Sequence, residues 1–337
     1  MRTVILILVL LAAVFLSTGS DALAGEGSPP VARVAVLAWR DSISGTLIRE
    51  GLRGGLLRTR IPVSVEAGTC GESERKALER LASWRAKEMD LYVGIGPEAA
   101  LFLRREVKDR PVVFASVRDP VLSGILDELH PRRRGVTGAY LDLDEMRVLN
   151  LFRAMHPGLR RLGVLYSAGA RGPEADVLSV EASLEALPEE KKIPLSLVRA
   201  PVDRRGGPQA LFSALEALLR EDVQAVWLPE DPFVLAHLQA LAGTASASGV
   251  PLLGTHPEGV RRHTMVGISP DYAALGVRTA ALCARILRDG KPAGTLPLGV
   301  VRTFHVVVNL RAAGRAGVRI PLIALTRADV IVDRDGW

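Results

Sequence analysis

The spacing most suggestive of chemistry is Gly94-x-Gly96-x-x-Ala99, which follows an apolar strand, opens a helix and has Asp119 some way beyond. In a dinucleotide site such glycines let backbone approach a pyrophosphate at a helix start, and an acid about twenty residues on holds the ribose. Here the pattern falls on the third strand instead of the first, and Pro97 intrudes at the turn. A Rossmann-type oxidoreductase is therefore only a remote alternative. A second set, His256-x-Glu258 with His263, has residue types that bind zinc. Its spacing matches no strong ligand motif, Arg261-Arg262 would repel a cation, and His130, His156, His237 and His305 stand singly elsewhere. A surface loop with ordinary histidines is expected, with no metal and no cofactor. The chain has no Gly-x-Ser-x-Gly elbow, no phosphate loop, no His-Glu-x-x-His and no cysteine placed with a histidine partner. No catalytic set emerges, and the residues favour a binder over an enzyme.

Any such residues must be held by repeated strand and helix units. Apolar runs at Val34-Leu37, Val63-Val65, Leu91-Ile95 and Val112-Phe114 alternate with amphipathic stretches at Gly45-Leu57, Glu72-Lys87 and Pro97-Val107. Strands that are apolar throughout fit a parallel sheet with helices on both faces. After Val136-Tyr140 the pattern restarts: helix Leu143-Met155, strand Leu162-Tyr166, helix Ala175-Ala186, strand Ile193-Val198 and helix Ala210-Leu219. Strand Val223-Leu228, helix Pro232-Ala245, strand Val250-Leu253 and strand Met265-Ile268 follow. Helix Pro270-Asp289 takes Ser269 as its N-cap, Pro270 at its first position and Gly290 with Pro292 as its stop, and its apolar side reads as a core face. The fold class is α/β, with two doubly wound Rossmann-like lobes, parallel sheets and a three-crossing hinge. The crossings fall near Gly138-Leu141, Ile268-Ser269 and Pro297-Thr303. One lobe is assigned 31–138 plus 269–296, and the other 139–268 plus 297–333.

The first 24 residues read as a cleaved signal peptide: Arg2, an apolar run from Val4 to Leu16, and Ala22-Leu23-Ala24 as the small-residue cleavage site. The apolar run is short for a bilayer span, no cysteine near the cut offers a lipid anchor, and no later segment is apolar enough to cross. The mature chain is expected in the periplasm or outside the cell. The formal charge of +6 comes from 43 basic residues, six of them Lys, with the Arg scattered among Leu, Ala and Gly. The densest cluster, Arg132 to Arg134, is flanked by Pro131 and Gly135 and reads as a solvated turn, so no nucleic-acid partner is expected. Cys70 and Cys283 lie far apart in a compartment that permits a disulfide without arguing for one, and Cys283 sits within a helical core pattern.

Short stretches distributed along the chain carry a resemblance. They include Met89-Asp90-Leu91-Tyr92-Val93-Gly94-Ile95-Gly96, Pro111-Val112-Val113-Phe114-Ala115, Asp119-Pro120-Val121 and Gly135-Val136-Thr137-Gly138. Asp271-Tyr272, Leu275-Gly276, Gly290-Lys291-Pro292, Val308-Asn309-Leu310, Ile320-Pro321 and Arg327-Ala328-Asp329-Val330-Ile331 continue it. In this order the chain resembles the substrate-binding proteins of ABC importers, the family that includes tryptophan- and other aromatic-amino-acid-binding members. The resemblance implies a type I periplasmic-binding-protein fold, hinge closure on a small-molecule ligand and delivery to a membrane permease; a monomer is expected. A ligand-sensing accessory protein for a membrane receptor shares that fold.

Open α/β sheets bind ligands beyond the carboxyl ends of their strands, which would face each other across an interlobe crevice. This nominates Trp39, Asp41, Ser42, Gly96, Pro97, Glu98, Ser116 and Asp119 from the first lobe. Tyr166, Ser167, Glu230, Asp231, Thr255 and His256 come from the second. Asp119 and Asp231 suit a ligand ammonium, although Asp231 before Pro232 equally fits a helix cap and Asp119 before Pro120 a turn. Trp39 either stacks on a planar ligand or closes the lobe's edge. The family usually has a hydroxyl residue where Pro97 stands, and Tyr-Asn followed by Pro where Tyr166-Ser167 stands. An acidic residue and an Asn-Ser pair further on are also missing, so an amino-acid ligand does not transfer directly.

Overall fold

The computed structural model describes residues 31–117, 120–121, 123–126, 135–142, 145–191, 194–254 and 257–333. The leader at 1–24, the turn at Arg132–Arg134, and the candidates Asp119, Thr255 and His256 lie outside the described residues.

The first lobe begins β1 (Ala32–Ala38), α1 (Ile43–Arg58), β2 (Val63–Thr69), α2 (Glu74–Ala86), β3 (Leu91–Ile95), α3 (Pro97–Glu106), β4 (Val112–Val117) and β5 (Val136–Leu141). β1 explains the architecture. From Val34 to Ala38 every side chain is buried, because alternate residues serve two cores. Val34, Val36 and Ala38 join the cluster that includes Ile48, Leu52 and Leu56 of α1, whereas Ala35 and Leu37 join Leu81 of α2 and Phe102 of α3. A strand buried on both faces has no polar side to present, hence its continuous apolar sequence.

The second lobe follows as α4 (Glu145–Met155), β6 (Arg161–Ser167), α5 (Arg171–Glu185), β7 (Ser196–Val202), α6 (Gly207–Arg220), β8 (Ala225–Leu228), α7 (Pro232–Leu235), α8 (Leu238–Ala247), β9 (Leu252–Gly254), α9 (Pro257–Arg262) and β10 (Val266–Pro270). The chain then supplies α10 (Tyr272–Leu287), β11 (Gly299–Val301), β12 (Phe304–Asn309), α11 (Leu310–Arg315), α12 (Leu322–Leu325) and β13 (Val330–Val332). The strand orders are β11-β5-β4-β3-β1-β2 and β13-β12-β10-β9-β8-β6-β7. Among the described strands every pair is parallel except β10 with β12, which is antiparallel because the chain recrosses into the second sheet from the hinge side.

Several boundaries differ from the sequence reading. Residues 139–141 of β5 and all of β11 pair within the first sheet, so these segments belong to the first lobe and not the second. Ser269 and Pro270 end β10 instead of starting a helix; the cap of α10 is Asp271, whose Oδ1 accepts from Ala274 N at 2.8 Å. A carboxylate two positions later reaches the orphan amide, and proline at a strand end needs no donor. The helix expected over Pro232-Ala245 is two helices, since His237 (φ −112°) leaves the helical path and its Nδ1 lies 2.9 Å from the Phe233 carbonyl. The strand expected at Ile193-Val198 runs instead at Ser196–Val202, with Pro201 tolerated because β7 is an edge strand.

After β10 the chain returns to lay α10 on α1. Their backbones nearly touch: a Cβ at Gly276 would stand 2.2 Å from the Ile48 carbonyl oxygen. This close approach brings the start of α10, with Tyr272, to the cleft. Among the described residues no helix is long and apolar enough to cross a membrane.

Candidate functional site

The carboxyl ends of β1, β3 and β4 face those of β6 and β8 around a cavity of about 320 Å³. In the first lobe, Ser42 caps α1 by accepting from Gly45 N at 3.0 Å. Trp39 is half-buried along the wall, its ring 5.8 Å from that of Phe102 and tilted by 52°. Gly96 caps α3 with φ +87°, where glycine is unstrained, and Pro97 is the first helical residue. Ser116 also lines the cavity and holds φ +60°, beside a register shift between Phe114 and Val117. A non-glycine residue in that region costs of order 1–3 kcal/mol and persists where the surroundings hold it, commonly at binding sites.

A chain of ion pairs crosses the mouth. The Arg40 guanidinium reaches Glu98 Oε1 at 2.7 Å and Glu72 Oε1 at 3.2 Å, and Glu72 Oε2 lies 3.7 Å from Arg204 of the second lobe. A shorter connection lies deeper. Ser44 Oγ donates to Glu230 Oε1 at 2.6 Å, and the Tyr272 hydroxyl donates to Glu230 Oε2. Ser44 and Tyr272 are buried in the first lobe, so a carboxylate of the second lobe is gripped by two hydroxyls of the first.

Asp231 also borders the cavity, but its oxygens serve the backbone. Oδ2 accepts from Ser167 N at 2.6 Å, and Oδ1 accepts from Phe233 N at 3.0 Å and Val234 N at 3.5 Å. It caps α7 and ties that helix to β6.

Of the nominated residues, the structure brings together Trp39, Ser42, Gly96, Pro97, Glu98, Ser116, Glu230 and Asp231. Asp41 instead accepts from Thr69 Oγ1 at 3.2 Å and does not line the cavity. Tyr166 is packed in the second-lobe core, and Ser167 is wholly buried, its Oγ without a partner among the described residues. The strand continues to Ser167 before turning at Gly169 (φ +71°), so the lining here is Gly169 and Ala170 of the turn with Gly172 and Pro173 of the first turn of α5.

Sequence reasoning missed Arg40, Ser44, Glu72, Asp176, Arg204 and Tyr272. Ser44 is legible only as a small polar residue on the buried side of a helix start. Tyr272 stood within a helix read as core. Among the described lining residues, the five carboxylates of Glu72, Glu98, Asp176, Glu230 and Asp231 face two guanidiniums. The described lining is acidic overall.

Two lobes of mainly parallel sheet with a polar cavity between their strand ends define a cleft-type binding protein. Residues 33–332 match the family model described as ABC transporter substrate binding protein, and the chain belongs to that family. It is 21% identical over 222 residues to the tyrosine-binding protein of Clostridioides difficile (strain R20291), a stretch covering 65% of this chain and 61% of that relative. A conserved domain protein from Vibrio cholerae superposes with a TM-score of 0.78 at 24% identity, over 90% of this chain and 100% of that one. An ABC domain from Streptococcus pneumonia in complex with L-Trp superposes with 0.76 at 22% identity, over the same shares. These likenesses give the fold, that of type I periplasmic binding proteins.

Proposed function

We propose that the chain is an extracytoplasmic solute-binding protein of an ABC importer, capturing a small amine-bearing organic ligand in the interlobe cleft by hinge closure. The observation that carries this reading is the cavity of about 320 Å³ walled by both lobes and bridged by Glu230. A group from one lobe bonded to the other gives closure a contact to gain, and a ligand filling the cavity adds further contacts available only in the closed state. The excess of carboxylates suits a ligand carrying at least one ammonium. The names of the relatives, a tyrosine-binding protein and a domain holding L-Trp, support an amino acid or a close relative of one. Trp39 offers a ring face for a planar portion.

In this reading the protein is an exported monomer without cofactor, catalyses nothing, and hands its ligand to a membrane permease. The test is a thermal-shift screen of the mature protein against amino acids, other amines, purines, sugars and organic acids. A ligand at a hundred times its Kd adds roughly 2.7 kcal/mol and raises Tm by several degrees. Stabilisation by amines is the expected result. Stabilisation only by anions would remove the ammonium assignment, and turnover abolished by one cleft substitution would replace binding with catalysis.

A further inference from the structure

A second concave surface lies at the opposite end of the second lobe. There α8, α9, α11 and β13 wall an open groove of about 1260 Å³. Its place follows from the topology: α8 and α9 descend from the cleft ends of β8 and β9, and β12 ends where β10 begins, with Asn309 N donating to Met265 O at 2.8 Å.

The groove is strongly basic. Arg261 and Arg262 end α9, Arg311 and Arg315 stand on α11, and all four are exposed. Asp333 is the one carboxylate among the described lining residues. Arg315 donates to the Arg262 carbonyl at 3.1 Å, which ties α11 to the end of α9. Half-buried His263 is held below the usual histidine range by burial first and then by the charges of Arg315 and Arg262.

We propose that this groove docks an extended acidic segment of a partner protein. The charge selects carboxylates, which guanidiniums bind in a planar fork. The floor adds Ala242, Ala247 and Val332 for apolar contact, with Gln239 and Ser246 as hydrogen-bonding side chains suited to a peptide backbone. One wall is β13, among the described residues the outermost strand of its sheet, paired to β12 and presenting exposed Ile331. Such an edge is a template for an added strand. The exposed edge of β13 favours a peptide over a lipid surface. A partner bound here leaves the cleft free to open and close.

The test uses the mature protein and a fluorescein-labelled octaglutamate peptide, with anisotropy read at low ionic strength. Phosphatidylglycerol vesicles and inorganic pyrophosphate are titrated in parallel. Arg262→Glu with Arg315→Glu is expected to weaken the peptide by about tenfold. Gly243→Glu keeps every arginine, and its new Cβ meets no atom within 4 Å; it should weaken binding in the same direction without loss of fold. Arg53→Glu with Arg58→Glu on α1 makes the same change in net charge elsewhere and should weaken it by less than about twofold. Absence of peptide binding, or equal weakening by the α1 pair, overturns the proposal. So does a result in which the groove substitutions abolish vesicle or pyrophosphate binding and leave the peptide unaffected.

Discussion

Ser44 of the first lobe donates a hydrogen bond of 2.6 Å to Glu230 of the second, joining residues 186 positions apart across the cleft. With the Tyr272 hydroxyl on its other oxygen, this carboxylate latches the lobes. Hydrogen bonds to a charged group contribute about 1.5–3 kcal/mol. Glu230→Ala should therefore shift the protein toward an open form, seen as a larger radius of gyration by small-angle scattering. Apparent ligand affinity should fall by about tenfold or more, since the closed state becomes rarer. An unchanged radius and affinity would show that the bond does no work in closure. Arg204→Ala breaks only a 3.7 Å pair between half-exposed groups and should cost under about 1 kcal/mol.

Asp231 is a structural acid. Asp231→Ala would leave the amides of Ser167, Phe233 and Val234 without their acceptor in a buried setting. The expected loss is about 2–3 kcal/mol, read as a lower Tm by calorimetry. Asp231→Asn keeps one carbonyl acceptor and should lose less. If the alanine variant instead melted normally and lost only ligand binding, the capping role would be wrong.

Acid should weaken the fold through two histidines. Burial holds His156 below the usual histidine range, and burial with Arg315 and Arg262 does the same for His263. The folded state then binds fewer protons than the unfolded chain, so this stability is present above about pH 6.5 and is lost as pH falls. His156→Gln with His263→Gln should flatten Tm between about pH 7 and 5; a slope equal to that of the parent would refute the assignment.

Both cysteines are free and buried. Burial pushes the Cys283 thiol up to about 12 and raises that of Cys70, whose Sγ donates to the Trp39 carbonyl at 3.2 Å. Neither should react with a thiol reagent at pH 8 in the folded protein, and both should react in denaturant. For Cys283 the unfolded thiol ionises first, so stability is complete below about pH 9 and declines as pH rises toward 12. Rapid labelling of the native protein would contradict this.

The two-lobed fold was readable because its strands are buried on both faces, as Val34 to Ala38 illustrate. Strand ends were readable to within two or three residues, which found Trp39, Gly96, Ser116 and Glu230. The same tolerance put Tyr166 in the core and Asp41 beside Thr69, because at a strand end one residue decides between cavity and interior. Cap chemistry was ambiguous where Ser269 and Asp271 both fit. Only the backbone path shows which carboxylate meets an orphan amide.

The sequence by itself determined the alternation of apolar runs and amphipathic helices, the duplication into two lobes, and the strand ends that carry the cleft. Those features are local, set by burial and hydrogen bonding within about twenty residues. The tertiary structure decided which acids bridge the lobes and which serve the backbone. Asp231 and Glu230 are neighbours in the chain, yet one caps a helix and the other reaches Ser44. That division depends on where α10 lies against α1, a packing of residues more than two hundred positions apart that no local pattern encodes.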